Sequence, residues 1–182
     1  MDAKATAIGC DHSVAPTADD YYTLKRYEAF RAAADYVAGA LAAQPSVRRV
    51  ALFGSVASEP SSESGRRRGG LLHEPKDVDL AVWLDRVGDL DTLRRLSAKA
   101  LQRLWHEKEL GVAHHQVDIF LLDATGRYVG RLCHFNHCPK HKPACQVERC
   151  GEVPFLQQHD AFDFDVTHSL RCDRIRVLFE RR

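Results

Sequence analysis

Three aspartates have the spacing of a metal site. Asp77 and Asp79 are separated by one residue in the apolar run 77–84, and Asp118 lies in the apolar run 115–122. Because side chains two residues apart in a strand share a face, Asp77 and Asp79 point to the side opposite the apolar residues. If the two runs are neighbouring strands, Asp118 joins them, and three like charges so close together require a cation. Oxygen-only ligands on a rigid sheet predict Mg²⁺ or Mn²⁺.

Gly54 and Ser55 follow a short β-rich run, at a point where a helix could begin. A glycine there lets a bulky anion approach the backbone, and free amides at a helix start, with the serine hydroxyl, donate to phosphate oxygens. Phosphate donors beside a site for divalent cations are the parts needed for transfer from a nucleoside triphosphate. We therefore predict that nucleotide binds at Gly54 and Ser55.

Three short motifs in this order resemble the nucleotidyltransferase superfamily, the DNA polymerase β-like group, and above all its minimal members. They are Phe53-Gly54-Ser55, Asp77-Val78-Asp79-Leu80 and Val117-Asp118-Ile119. The resemblance covers about residues 24–123. It implies a metal-dependent enzyme that transfers NMP from an NTP, with ATP the first candidate, to a hydroxyl of a protein side chain, a small molecule or RNA, with release of pyrophosphate.

The resemblance also implies a role for each matched residue. Gly54 and Ser55 would bind the triphosphate, and Asp77 and Asp79 would coordinate Mg²⁺ or Mn²⁺. Asp118 would be the third ligand and the base toward the acceptor hydroxyl. Minimal members often act beside a second helical protein that binds the acceptor, so a helical partner or a homodimer is expected.

One feature departs from the family pattern, and one alternative function stays open. Between Ser55 and Asp77 lie 21 residues, more than is usual in the family, so the loop 58–76 is either an insertion or a change in how nucleotide reaches the site. Its three arginines, 66–68, are interpreted as a solvated basic cluster. The alternative is a catalytically inactive protein that senses nucleotide or binds RNA and keeps a structural zinc site.

A second set of residues predicts another metal site. Four of the six cysteines lie within eighteen residues and are separated by four, six and four residues: Cys133, Cys138, Cys145 and Cys150. Four thiolates close a tetrahedron around Zn²⁺ and stabilise a segment too polar to form its own core. The alternatives are a histidine in place of one cysteine (His134, His137 or His141), an iron–sulfur cluster, or reduced cysteines without metal.

Composition limits the class of protein. The 182 residues suit one domain, or a domain with a small appendage, and 45% apolar and 28% charged residues exclude a disordered chain, a coiled coil and a fibre. A formal charge of +1 gives no general attraction to polyanions, so nucleic acid is allowed as a partner but not indicated. No apolar run approaches the roughly 20 residues of a membrane-spanning helix, and the N-terminus lacks the apolar core of an export signal, so we expect a cytoplasmic protein without membrane contact.

Strands and helices are predicted to alternate along the chain. We expect a helix from Tyr22 to about Gln44, a strand over Val47–Phe53, a strand over Asp77–Leu84, a helix from about Asp89 to Leu110, a strand over His115–Leu122 and a last strand within Arg174–Phe179. The predicted fold is α/β (α+β), with a mixed sheet of about four to five strands, helices packed on one face, and a small zinc-stabilised C-terminal module. The expected division is an N-terminal arm at 1–20, a nucleotidyltransferase core at 21–127, and a zinc-binding module with the final strand packed on the core at 128–182.

Overall fold

A computed structural model of the chain describes residues 18–58, 72–139, 145, 147, 150–158 and 164–181. In these ranges the elements are α1 (Ala18–Ala42), β1 (Val47–Phe53), β2 (Val78–Leu84), α2 (Leu90–Lys108), β3 (Val117–Leu122), β4 (Tyr128–Leu132), β5 (Leu156–Gln157), α3 (Val166–Ser169) and β6 (Arg176–Glu180). A short 3-10 turn, His114–Gln116, precedes β3. Most of the predicted N-terminal arm and the three loop arginines 66–68 lie outside the described residues.

The strands form one mixed sheet in the order β5-β4-β3-β2-β1-β6. β2 and β3 are parallel, and every other neighbouring pair in this sheet is antiparallel. The parallel pair is joined through α2, as parallel strands require a crossover connection. The mixed α and β architecture is confirmed. The sheet has six strands rather than the four or five expected, because β4 and β5 extend it beyond β3.

The main core lies between the sheet and the two long helices. Side chains at steps of three and four along α1 are buried, as the sequence predicted: Tyr27, Phe30, Ala34, Val37 and Leu41. α2 begins as predicted after Asp89, whose carboxylate accepts the backbone N–H of Thr92 and so caps the helix. None of the helices in the described part of the chain is both long and apolar enough to cross a membrane.

Alternation along β2 and β3 divides their side chains between two faces. Val78, Leu80 and Val82 on β2, with their counterparts Val117, Ile119 and Leu121 on β3, are buried in the main core. The intervening positions face the other way and include Asp79 and Asp118. This is the arrangement that the sequence predicted, and it leaves both carboxylates on the side of the sheet opposite α1 and α2.

An aromatic cluster covers the central part of that second face. Phe53 and Phe120 pack edge to face at 5.2 Å between ring centroids, and Phe164 lies 4.6 Å from Phe120 and 5.0 Å from Tyr128. Phe164 comes from the chain just before α3 and thus brings this part of the chain onto the second face. The carboxylates occupy the edge of this apolar surface, where β2 and β3 begin.

Candidate active site

Four strand ends meet where the carboxylates lie. β1 ends at Phe53, which is the register partner of Asp79 near the start of β2. Asp79 is in turn the register partner of Asp118 near the start of β3. β4 runs antiparallel to β3, so its last residues return to the same end of the sheet. The fold therefore places the end of β1 and two aspartates side by side.

The electrostatics of this cluster disfavour three negative charges without compensation. The pKa of Asp79 is raised to about 7, first by burial and then by the charges of Asp118 and Asp77, while Arg131 acts in the opposite direction. Burial also raises the pKa of Asp118, with the nearby Arg131 acting against it and Asp77 adding to it. Asp77 itself is exposed, immediately before β2. The three predicted aspartates thus interact with one another, with Asp79 the most perturbed.

Gly54 lies directly against the Asp79 carboxylate. Its φ is +71°, and a Cβ at this position would collide with Asp79 Oδ2. Any other residue would combine a left-handed backbone conformation with a collision against this oxygen. The glycine predicted to allow an anion near the backbone is therefore also the residue that leaves room for a carboxylate.

Gly54→Ala tests this close approach. We expect the free energy of unfolding to fall by about 1–3 kcal/mol, because the backbone is strained and the new methyl group displaces Asp79. Gly39→Ala is the matched control, since Gly39 lies inside α1 and a Cβ there meets nothing within 4 Å. That variant should gain up to about 1 kcal/mol. Urea unfolding of both would contradict the account if Gly54→Ala were as stable as Gly39→Ala.

The chain after Gly54 is a turn, which corrects the expectation of a helix start. Over the described residues 54–58 the Ala57 N–H donates to the Gly54 carbonyl, and no helix begins. Val56 is fully buried and anchors the turn in the main core. Arg31 of α1 donates to the carbonyls of Val56 and Ser58 at 3.2 and 2.7 Å. Backbone groups of a turn, rather than a helix N-terminus, are thus what this segment offers beside the exposed Ser55.

A cleft opens beside Gly54. It has a volume of about 660 Å³ and is lined by Phe53, Gly54, Ser58, His168, Ser169, Asp173 and Arg174. Its outer wall comes from α3 and the residues that follow it, and Arg174 Nη1 lies 3.1 Å from His168 Nε2. Cationic and hydroxyl side chains next to the backbone of a glycine are groups that suit a phosphate-bearing ligand.

Arg131 is a site residue that the sequence reasoning missed. It lies on β4, and its Nη1 donates to Asp118 Oδ2 at 2.8 Å; the two side chains are only 17% and 21% exposed. The guanidinium places a positive charge beside the carboxylates and lowers the pKa of both Asp79 and Asp118. A charged residue in a strand of otherwise uncharged residues, two positions before Cys133, was the only signal in the sequence.

The predicted zinc-binding cysteines lie at the same end of the sheet, beyond β4. Among the described residues, Cys133 and Cys150 are buried and Cys138 and Cys145 are partly buried. Burial raises the pKa of the Cys133 thiol, and the Cys145 and Cys138 thiols act in the same direction. Three of the predicted ligands therefore lie near enough to influence one another.

N–H groups converge on the sulfur atoms. The Phe155 N–H donates to Cys138 Sγ at 3.4 Å and the Val147 N–H to Cys145 Sγ at 3.5 Å. Cys133 Sγ accepts from the backbone of Phe135 and from the side chain of Gln157. N–H donors of this kind stabilise thiolates, so the cysteine ligands have the surroundings that suit Zn²⁺. Of the alternative histidine ligands, His141 lies outside the described residues.

Within the described ranges, no three histidine, cysteine, aspartate or glutamate side chains are already grouped as the ligands of a metal ion. The carboxylate set nevertheless has the chemistry of a cation site, since Asp79 is a partly buried acid whose charged form has too little compensation.

Searches of protein-family models, of curated proteins and of solved structures found nothing that matches this chain.

Proposed function

We propose that this protein is a metal-dependent nucleotidyltransferase that transfers NMP from an NTP, ATP being the first candidate, to a hydroxyl acceptor and releases pyrophosphate. The observation that supports this most is the pairing of Asp79 with Asp118 on adjacent parallel strands, with the backbone of Gly54 against Asp79. The arrangement combines a cation site with an approach for phosphate, which are the two requirements of phosphoryl transfer.

In this proposal Asp77, Asp79 and Asp118 hold Mg²⁺ or Mn²⁺. The bound cations would neutralise charge on the phosphates and acidify the acceptor hydroxyl. Gly54, Ser55 and the turn backbone contact the triphosphate, which extends into the cleft toward Arg174.

The chemical step needs one base and one leaving group. The acceptor oxygen attacks the α-phosphorus, its proton passes to the Asp118 carboxylate, and the bond from the α-phosphorus to the bridging oxygen breaks to release pyrophosphate. Burial favours Asp118 in this role because it raises the pKa of the carboxyl group and so makes the carboxylate more basic. The acceptor is a protein side chain, a small molecule or an RNA end, presented by a helical partner or a second copy.

Calorimetry and a pyrophosphate assay test the function together. We expect each NTP that binds to require Mg²⁺ or Mn²⁺, and pyrophosphate to appear when an acceptor is supplied. Tight nucleotide binding without turnover on any acceptor would instead support a nucleotide-sensing or RNA-binding regulator. Absence of NTP binding in the presence of either cation would contradict both.

For the segment after β4 we propose structural zinc held by Cys133, Cys138, Cys145 and Cys150. The N–H donors at three of these sulfur atoms support the proposal, since they stabilise thiolates. Four thiolates fill the tetrahedron around Zn²⁺ and leave no open position for chemistry. The metal would brace a segment that attaches to the sheet through β5, which has only two residues.

The zinc proposal predicts a defined stoichiometry. The purified protein should contain about one zinc per chain, and a chelator should lower its melting temperature, because the binding energy of a structural zinc is part of the folding energy. Cys133→Ser should lose the metal, while Cys172→Ser should keep it, because Cys172 is an exposed thiol on the chain after α3. Equal zinc content in the two variants, measured by atomic emission, would contradict the proposed ligand set.

A further inference from the structure

Gln157 is a buried polar side chain with a partner at each end of its amide. It is only 2% exposed, and it lies on β5 as the register partner of Arg131. Its Oε1 accepts from Arg131 Nε at 3.2 Å, and its Nε2 donates to Cys133 Sγ at 3.7 Å. Since the oxygen can only accept and the nitrogen can only donate, one amide orientation satisfies both partners.

The same guanidinium continues the chain of hydrogen bonds to the carboxylates. Arg131 uses Nε for Gln157 and Nη1 for Asp118. Because a guanidinium is planar and rigid, fixing Nε also fixes the direction of Nη1. An unbroken series, Cys133 to Gln157 to Arg131 to Asp118, therefore connects the cysteine cluster with the proposed active site.

We propose that Gln157 is a positioning residue that holds Arg131 on Asp118 and makes this hold depend on the state of the Cys133 sulfur. A thiolate bound to Zn²⁺ accepts a hydrogen bond more strongly than a thiol does. It therefore keeps the amide nitrogen on the cysteine side and the amide oxygen on the arginine side. When the metal is lost, the amide is no longer fixed, and Arg131 is held less firmly.

The consequence for the carboxylates has a definite sign. A guanidinium fixed on Asp118 competes with a free divalent cation for the same oxygen atoms, so a loosened Arg131 should allow free Mn²⁺ to bind more tightly. This consequence rests on the proposed function, since it requires that cations bind at Asp118. The hydrogen bond from Arg131 to Gln157 does not require cation binding at Asp118. The position of Arg131 and the affinity for Mn²⁺ can therefore be measured separately.

Nitrogen-15 NMR of the arginine Nε–H groups measures the hold directly in the full chain. The Arg131 Nε–H should exchange slowly with water in the zinc-loaded protein and about tenfold faster in Gln157→Leu, which loses both hydrogen bonds. Gln158→Leu is the matched control, because Gln158 is the exposed neighbour and its side chain donates to the Val129 carbonyl rather than to Arg131 or Cys133. Equal exchange in the wild type and in Gln157→Leu would overturn the proposal.

Gln157→Glu separates a relay from simple loss of structure. Glutamate retains an acceptor for Arg131 but has no N–H for Cys133, so Arg131 exchange should stay slow and should not change when a chelator removes zinc. In the wild type the same treatment should raise the exchange rate. If zinc removal accelerates exchange equally in both proteins, the segment merely unfolds and the proposal is wrong.

Electron paramagnetic resonance with Mn²⁺ alone completes the test. Mn²⁺ should bind Gln157→Leu several-fold more tightly than the wild type or Gln158→Leu, as expected for a coupling of moderate size. Equal Mn²⁺ affinity in all three would overturn the coupling to the carboxylates. If none binds Mn²⁺ while the exchange results hold, the positioning role stands and it is the proposed function that fails.

Discussion

Asp79→Asn is expected to reduce pyrophosphate release by a factor on the order of a thousand or more, because removal of one preorganised charge at a phosphoryl-transfer centre costs this much. Asp79 is the central carboxylate of the cluster, with Asp118 as its register partner and Asp77 two residues before it. The substitution preserves shape and removes only the charge. Its effect should therefore appear in kcat and in the Mn²⁺ affinity together.

Asp85→Asn provides the control for the charge change. Asp85 lies just past the opposite end of β2 and pairs with Arg48 at the surface, away from the carboxylate cluster. This variant should retain wild-type turnover. Turnover by Asp79→Asn within a few-fold of the wild type would remove Asp79 from the proposed mechanism.

The metal-free protein is expected to lose stability as the pH rises from about 4 to about 7. Asp79 has an ordinary pKa of 3.8 in the unfolded chain and a pKa raised to about 7 in the folded one. Below pH 4 the carboxyl group is protonated in both states and has no effect. Between pH 3.8 and about pH 7 the folded state binds more protons than the unfolded state, so the free energy of unfolding falls with rising pH. The full contribution of this residue is on the order of 4 kcal/mol.

Comparison with Asp79→Asn separates the contribution of Asp79 to the free energy of unfolding from those of other titrating groups. In EDTA, the variant should become more stable than the wild type by an amount that grows up to pH 7 and then levels off. Saturating Mg²⁺ should reduce the difference, because it stabilises only the folded protein that binds it. Urea unfolding over pH 4–8 measures this. A difference that does not change with pH would show that Asp79 is not buried among like charges.

The elements that position the site follow from local sequence patterns. β1 has the predicted bounds Val47–Phe53, and β2 and β3 begin within two residues of their predictions. Alternation also predicted correctly that Asp79 and Asp118 share a face, because each sits between residues that must enter the core. Asp79 and Asp118 lie level with one another because β2 and β3 pair in a parallel register. This register depends on how α2 packs and not on any local pattern.

Other features have no local signal. β5 comprises only Leu156 and Gln157, and two residues have no period to detect. The roles of Arg131 and Gln157 arise from pairing between β4 and β5, which are separated by the cysteine cluster in sequence. The turn after Gly54 differs from the predicted helix start because burial of Val56 and hydrogen bonds from Arg31 fix it. Tertiary contacts decided each of these cases.

The most direct test of the account is a crystal structure with Mn²⁺ and a non-hydrolysable NTP, recorded with anomalous scattering at the manganese edge. We predict a manganese peak about 2 Å from carboxylate oxygens of both Asp79 and Asp118, with the triphosphate against the Gly54 backbone. A nucleotide bound elsewhere, or manganese with no ligand among Asp77, Asp79 and Asp118, would contradict the assignment of a nucleotidyl-transfer site.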